Sequence, residues 1–182
     1  MTARASAARE RLLRTASDLF YAEGLRGVGV DRIVSEAAVT RATFYRHFPS
    51  KEVLVVGYLE AVDEAVRARV TGTGAELLRD LAGAIGEQLC RPGFRGCPFI
   101  NAAAEHPDPQ DAVHRAVVSH RDWLARTVRD AFAEAGTPDP DDAAQRFVML
   151  RDGAMVAGYL GDPASTAATL RAGVEDLLAA AR

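Results

Sequence analysis

Apolar residues recur at helical spacing along almost the whole of this 182-residue chain. Near its start, Leu12, Ala16, Leu19 and Phe20 follow the i, i+4, i+7, i+8 pattern that places side chains on one face of a helix. No segment alternates apolar and polar residues over a length that would make a useful strand. The sequence therefore predicts an all-α protein of about nine helices.

Capping signals predict where several of these helices begin and end. Gly24 can end the first helix, because glycine readily adopts the left-handed conformation of a C-terminal cap. Thr40 can cap a third helix and Ser50 a fourth through their hydroxyl oxygens. An aspartate followed by a proline is typical of a helix start, since proline needs no hydrogen bond in the first turn. Such pairs predict the last three helices: Asp108-Pro109, Asp139-Pro140 and Asp162-Pro163.

The composition is that of an ordinary globular protein, with 48% hydrophobic and 26% charged residues. No apolar run approaches the roughly 18 to 20 residues that span a bilayer, and the arginine-rich N-terminus lacks the apolar region of a signal peptide. We therefore expect a cytoplasmic protein. The two cysteines, Cys90 and Cys97, lack the spacing of a zinc or disulfide motif, so we expect reduced thiols.

Charge is distributed unevenly along the chain. Residues 1–52 carry nine Arg or Lys against six Asp or Glu, whereas the remainder carries 13 against 19. A basic first third followed by an acidic body indicates that only the first part faces a polyanion, because phosphate contacts dominate non-specific nucleic-acid affinity. Lys51 is the only lysine, and it lies in the first turn of a predicted helix, where the helix dipole disfavours a cation unless an anion binds there.

The segment 40–52 predicts a short helix with two different faces. Phe44 and Phe48 lie on one side and can be buried, while the other side presents Ala42, Thr43, Tyr45 and Arg46. Arg46 can donate to a guanine edge or a phosphate, and Thr43 can contact a base or a thymine methyl group. The side chains suited to phosphates are Tyr45, His47 and Lys51. A short helix, a tight turn and this second short helix predict a helix-turn-helix.

The same residues resemble the signature of the TetR family of bacterial transcriptional regulators. The resemblance extends over roughly residues 9–59 and rests on Thr40, Ala42, Phe44-Tyr45, His47-Phe48 and Ser50-Lys51-Glu52. It implies a DNA-binding domain over residues 1–49 and a ligand-binding and dimerisation domain over residues 50–182, with the last two helices at the dimer interface. It also implies that the third helix enters the major groove. The residues that the resemblance implies at DNA are Arg41, Ala42, Thr43, Tyr45, Arg46, His47 and Lys51.

Two residues depart from the family's pattern. Gly29 stands where Ser or Thr usually begins the second helix, so it can cap the helix but offers no side-chain contact to phosphate. Ala38 stands where the turn usually has glycine, and it is expected to be strained if the turn needs a positive φ.

Residues for a small-molecule pocket are predicted from aromatic and polar side chains in the later helices. His120 and Trp123 face roughly the same way as the apolar stripe of their helix, although a buried histidine is more often a core residue. The full set of predicted ligand contacts is Phe99, Asn101, His120, Trp123, Phe147, Met149 and Tyr159. For each of these side chains taken singly, packing is a more common role than ligand binding.

Other chemistries have weaker support in the sequence. A structural thiol is favoured for Cys97, although Arg95 nearby could activate it for oxidant sensing. We predict no cofactor and no metal, although one cluster has the composition of a metal site without its spacing. This cluster comprises Glu105, His106, Asp108, Asp111 and His114.

The sequence thus predicts a homodimeric DNA-binding regulator, expected to be a repressor that a small molecule releases from a palindromic operator. One alternative is a regulator without a pocket, controlled by cysteine oxidation or by a partner. A remote alternative is a helical-bundle enzyme or ligand-storage protein, against which the absence of a nucleophile–base motif or a phosphate loop argues.

Overall fold

A computed structural model describes the backbone of residues 3–180 and the side chains of residues 7–180. Nine helices and no strands occur in this part of the chain, which confirms the predicted all-α class. The helices are α1 (Ala3–Glu23), α2 (Val30–Glu36), α3 (Arg41–His47), α4 (Lys51–Arg67), α5 (Gly74–Leu89), α6 (Pro98–Glu105), α7 (Ala112–Glu134), α8 (Pro140–Leu160) and α9 (Pro163–Ala179).

The chain forms two compact units, and the first comprises Met1–Ala65 and Pro98–Val118. Its core contains the apolar stripe predicted for α1, all of which is buried. Burial of these side chains explains how two short helices, α2 and α3, are held in place, because helices of seven residues have little stability alone. The largest side chains in this core are Leu12, Phe20, Ile33, Phe44, Phe48, Leu54, Tyr58 and Leu59.

The second unit comprises Val66–Cys97 and Ser119–Arg182, and glycines allow its helices to pack closely. A Cβ on Gly158 of α8 would lie 2.8 Å from Leu89 Cδ2, and one on Gly86 of α5 would lie 3.2 Å from the Cβ of Ala167 in α9. Larger residues at either position would push the helices apart. The predicted functional division at residues 49 and 50 stays a prediction, since these units reflect packing alone.

Two of the three Asp-Pro helix starts are confirmed, and one is wrong. The carboxylates of Asp139 and Asp162 each accept a backbone N–H in the first turn of their helices. Asp108 instead accepts from Gln110 N at 2.8 Å in a separate turn, and α7 begins at Ala112. The carboxylate of Asp111 accepts from Val113 N at 2.7 Å, so a second aspartate three residues later caps the helix.

The turn between α2 and α3 closes with the two hydrogen bonds of a Schellman motif. Val39 N donates to Val34 O at 3.1 Å, and Ala38 N donates to Ser35 O at 3.2 Å. This geometry requires a left-handed residue, and Ala38 has a φ of +50°. It is the only non-glycine residue with positive φ in the described part of the chain, which confirms the strain predicted for this position.

At the start of α2, Gly29 has extended backbone and provides no side-chain hydrogen bond, as predicted. Within the described residues, no helix has the length and apolar character needed to cross a membrane.

Replacing Ala38 with glycine should raise the free energy of unfolding by up to about 1 kcal/mol, because relief of left-handed strain exceeds the added unfolded-state entropy. Urea unfolding followed by circular dichroism measures the change. Ala37 is the control, since its φ is −75° and its side chain is buried. Ala37→Gly should therefore destabilise the protein, and an equal loss in both variants would contradict the assignment of strain to Ala38.

Candidate nucleic-acid interface

Helix α3 has a buried face and an exposed face, as the sequence predicts. Phe44 and Phe48 are almost completely buried in the first unit. On the other side Ala42, Tyr45 and Arg46 are exposed, and we call these three residues the reading face. The Tyr45 ring stands nearly perpendicular to that of Phe44, with 5.1 Å between centroids, so the buried aromatic residue supports the exposed one.

The start of α3 is fixed by the predicted Thr40 cap. Thr40 Oγ1 accepts a hydrogen bond from Thr43 N at 3.1 Å, and the two threonine hydroxyls are 3.0 Å apart. Thr43 is half-buried, and its hydroxyl takes part in this local network. The cap therefore sets the position from which the reading face begins.

Arg41, the first residue of α3, forms a two-point ion pair with Asp31 of α2. Its Nε donates to Asp31 Oδ1 and its Nη2 donates to Asp31 Oδ2, each at 2.6 Å. These hydrogen bonds raise the pKa of Arg41. The sequence prediction included Arg41 but missed Asp31, and opposite charges near the starts of two adjacent short helices were the available signal.

The remaining predicted contact on α3, His47, is half-buried. Its Nε2 atom is shielded from solvent and has no hydrogen-bond partner among the described residues. A phosphate contact from this side chain would therefore use Nδ1.

Lys51 begins α4 in a partly buried position. Ser50 Oγ accepts from Val53 N at 3.2 Å, which confirms the predicted cap of this helix. Partial loss of water lowers the pKa of Lys51, and the negative charge of Glu105 opposes this shift. Lys51 is thus the first residue of a long helix, where the helix dipole disfavours a cation and a bound anion would offset that effect.

Glu105, the last residue of α6, holds the loop between α1 and α2. Its carboxylate accepts from Leu25 N at 2.8 Å and from Arg26 N at 2.6 Å. Arg26 Nη2 in turn donates to Glu105 O at 2.7 Å. A Cβ on Gly24 would lie 3.1 Å from Glu105 Oε1, and Gly24 also has a φ of +87°. This carboxylate therefore fixes the entry to the helix-turn-helix.

The other members of the acidic and histidine cluster form local hydrogen bonds. His106 Nδ1 lies 2.6 Å from Asp111 Oδ2, and His114 Nδ1 lies 2.9 Å from His106 O. The hydrogen bond from His106 is the largest cause of a lowered pKa at Asp111. The described residues contain no group of three or more side chains arranged to hold a metal ion. Most of this cluster instead shapes the connection between α6 and α7.

Comparison with known proteins connects this geometry to a family. The family described as "Bacterial regulatory proteins, tetR family" matches residues 12–57, which include all of α2 and α3. A crystal structure of a TetR-family transcriptional regulator from Streptomyces coelicolor is similar with a TM-score of 0.92 and 48% identity, covering 96% of this chain and 95% of that one. The chain belongs to the TetR family of bacterial transcriptional regulators.

Two curated relatives agree with this assignment. The transcriptional regulator TcmR of Streptomyces glaucescens is 36% identical over 150 residues, which span 78% of this chain and 66% of TcmR. The transcriptional regulator AcuR of Cereibacter sphaeroides is 29% identical over 171 residues, which span 86% of this chain and 78% of AcuR. TetR-family regulators bind DNA and small-molecule effectors and are dimers.

The residues predicted to contact a ligand in this TetR-family chain have different surroundings. Phe99 and Asn101 belong to the first unit, and the other five belong to the second. Phe99, His120 and Phe147 are buried, Trp123 is half-buried, and Asn101, Met149 and Tyr159 are exposed. Their role in ligand binding stays a prediction.

Two of these side chains, His120 and Trp123, are neighbours. Their ring centroids are 5.6 Å apart. The Arg67 guanidinium lies over the Trp123 ring, with its carbon 4.4 Å from the centroid. Since Arg67 is the last residue of α4, a movement of the Trp123 ring would alter a contact at the end of that helix.

A polar network that the sequence did not predict lies in the second unit. Asp152 accepts from Arg121 at 2.7 Å and from Arg151 at 2.8 Å, and Arg151 also donates to Cys97 Sγ at 3.2 Å. Burial alone would raise the pKa of Asp152, but the two arginines outweigh it and lower that pKa. Arg151 is thus a basic partner of the buried Cys97 thiol, in addition to the neighbour Arg95 that the sequence suggested.

Replacing Glu105 with alanine should lower the free energy of unfolding by about 1 to 2 kcal/mol, because two backbone N–H groups lose a charged acceptor. Glu105→Gln keeps an acceptor oxygen and should lose less. Glu87→Ala on α5 is the control, since the Glu87 carboxylate is exposed and has no hydrogen bond or ion pair within the described chain. Urea unfolding that gives Glu105→Ala and Glu87→Ala the same stability would contradict this account.

Proposed function

We propose that the protein is a dimeric transcriptional repressor that reads a palindromic operator through α3 and the start of α4. The observation that carries the proposal is the reading face, held outward by the burial of Phe44 and Phe48. A helix of this kind in a helix-turn-helix enters the major groove, and a two-fold dimer presents two of them to DNA. The proposed contacts are Arg41, Ala42, Thr43, Tyr45, Arg46, His47 and Lys51.

These contacts divide into two kinds. Arg41, Ala42, Thr43 and Arg46 can approach base edges, since arginine donates to guanine and small residues permit close approach. Tyr45, His47 and Lys51 suit phosphates, which position the protein without reading sequence. The reported relatives are regulators, which supports a role without catalysis, and we expect such a protein to work in the cytoplasm, where bacterial DNA lies.

Exposed apolar residues on α8 support dimerisation through the last two helices. Met149, Gly153, Val156 and Leu160 follow one another at i, i+4, i+7 and i+11, and all four are exposed. The stripe borders a groove between α8 and α9, where Thr166 and Thr169 are among the lining residues. An exposed apolar stripe with small residues suits close packing against a second copy. Met149 and Tyr159, predicted as ligand contacts, are exposed on the same helix.

The regulatory step of the proposal is release from DNA on binding a small molecule. The buried His120 and its neighbour Trp123 are the best-supported contacts, because Trp123 also packs on Arg67 at the end of α4. A ligand that displaces this ring would bias α4, whose first residue is the proposed phosphate contact Lys51. A coupling free energy of about 1 to 3 kcal/mol would be sufficient.

An electrophoretic shift with DNA flanking the protein's own gene tests DNA binding. The wild-type protein should bind at least one fragment at low salt, and both Tyr45→Ala and Lys51→Ala should weaken binding about tenfold or more. Val53→Ala is the control, because Val53 is exposed near Lys51 but carries no charge. Folded wild-type protein that shifts no such fragment would refute the proposal.

Placing a charge in the α8 stripe tests dimerisation. Val156→Glu should produce monomers in analytical ultracentrifugation and weaken binding to a two-half-site fragment, because a carboxylate would be desolvated at the interface. Val118→Glu is the matched control, since Val118 is 42% exposed against 50% for Val156 and lies on α7. If the Val156→Glu protein stays dimeric, α8 does not form the interface.

A further inference from the structure

The ion pair between Asp31 and Arg41 connects the first turns of α2 and α3. The carboxylate engages the guanidinium along the edge formed by Nε and Nη2. This arrangement leaves the end of the guanidinium, with one N–H on Nη1 and one on Nη2, able to donate in parallel elsewhere. Within the described residues, no other hydrogen bond or ion pair holds Arg41.

Stability does not explain this ion pair. The side chains of Arg41 and Asp31 are 62% and 75% exposed, respectively. Exposed ion pairs contribute little to folding, because water screens the charges and both side chains lose rotamer freedom. The main effect of the two-point contact is therefore geometric, since it restricts the direction in which the Arg41 fork points.

A carboxylate on this surface also has an electrostatic cost in DNA binding. Asp31 repels phosphates and lowers the affinity for any sequence. Arg46 provides a contrast on the same helix, because its side chain is exposed and has no hydrogen bond or ion pair within the described part of the chain. Arg46 can therefore follow a phosphate or a base, whereas Arg41 is held in one orientation.

We propose that Asp31 is a positioning residue that holds Arg41 to read O6 and N7 of a guanine in the major groove. Guanine presents these two acceptors side by side, and the free end of an arginine fork matches them. The inference rests on the proposed function and adds the base that one residue recognises. Arg41 is the specificity-determining residue, and Asp31 acts only through it.

Selection from a randomised duplex library, with the full-length protein at fixed salt, tests this assignment. The motif selected by the wild-type protein should contain one guanine per half-site. Both Arg41→Ala and Arg41→Lys should lose the preference for guanine at that position, since lysine keeps the charge but lacks the fork. Asp31→Ala should weaken the preference for the same guanine and tighten binding to unrelated DNA. Arg46→Ala, the matched control, should retain that guanine.

Atomic substitution in the DNA distinguishes base reading from a phosphate contact. Replacing the selected guanine with 7-deazaguanine removes N7. The affinity of the wild-type protein should therefore fall several-fold, whereas the affinity of Arg41→Ala should not change. The opposite result is that Arg41→Ala keeps the guanine preference, binds all sequences more weakly by the same factor and depends less steeply on salt. That result would identify a phosphate contact and overturn the proposal.

Two substitutions of Asp31 test separately whether this residue positions Arg41. If Asp31→Ala and Asp31→Asn, with wild-type helix content by circular dichroism, select the unchanged motif with unchanged discrimination, Asp31 does not position Arg41. If the wild-type protein selects no motif at all, the proposed function itself fails. Selection of a motif without this guanine overturns only the assignment of Arg41.

Discussion

The burial of Phe44 and Phe48 is the interaction on which the DNA-facing surface depends. A seven-residue helix cannot persist in water by its own hydrogen bonds, so α3 exists because two aromatic side chains anchor it to the core of the first unit. The same anchoring turns Ala42, Tyr45 and Arg46 outward. Packing thereby fixes the orientation of polar residues that contribute little to stability themselves.

Much of the fold could be predicted because its signals are local. The apolar stripe of α1, the Thr40 and Ser50 caps and the left-handed Ala38 all depend on residues within one or two helical turns. The start of α7 was predicted wrongly for a physical reason: Asp108 and Asp111 can both cap a turn, and the sequence does not rank them.

The candidate site was less predictable where contacts join residues distant in sequence. Asp31 and Arg41 are separated by a turn, and Glu105 contacts the loop at Leu25 from the end of α6. Neither contact has a periodic or capping pattern that would reveal it. The sequence indicated Glu105 only as a member of a cluster with the composition of a metal site. Its role as an acceptor for two backbone N–H groups depends on residues about 80 positions earlier in the chain, which only the fold brings close.

Lys51 gives the chain an unusual chemical property. It is the only side-chain amine in the protein, and its partial burial lowers its pKa. Acylation of lysine side chains would therefore act at one position only. It would remove a positive charge at the start of α4, beside the surface proposed to face DNA, and leave every arginine elsewhere unchanged.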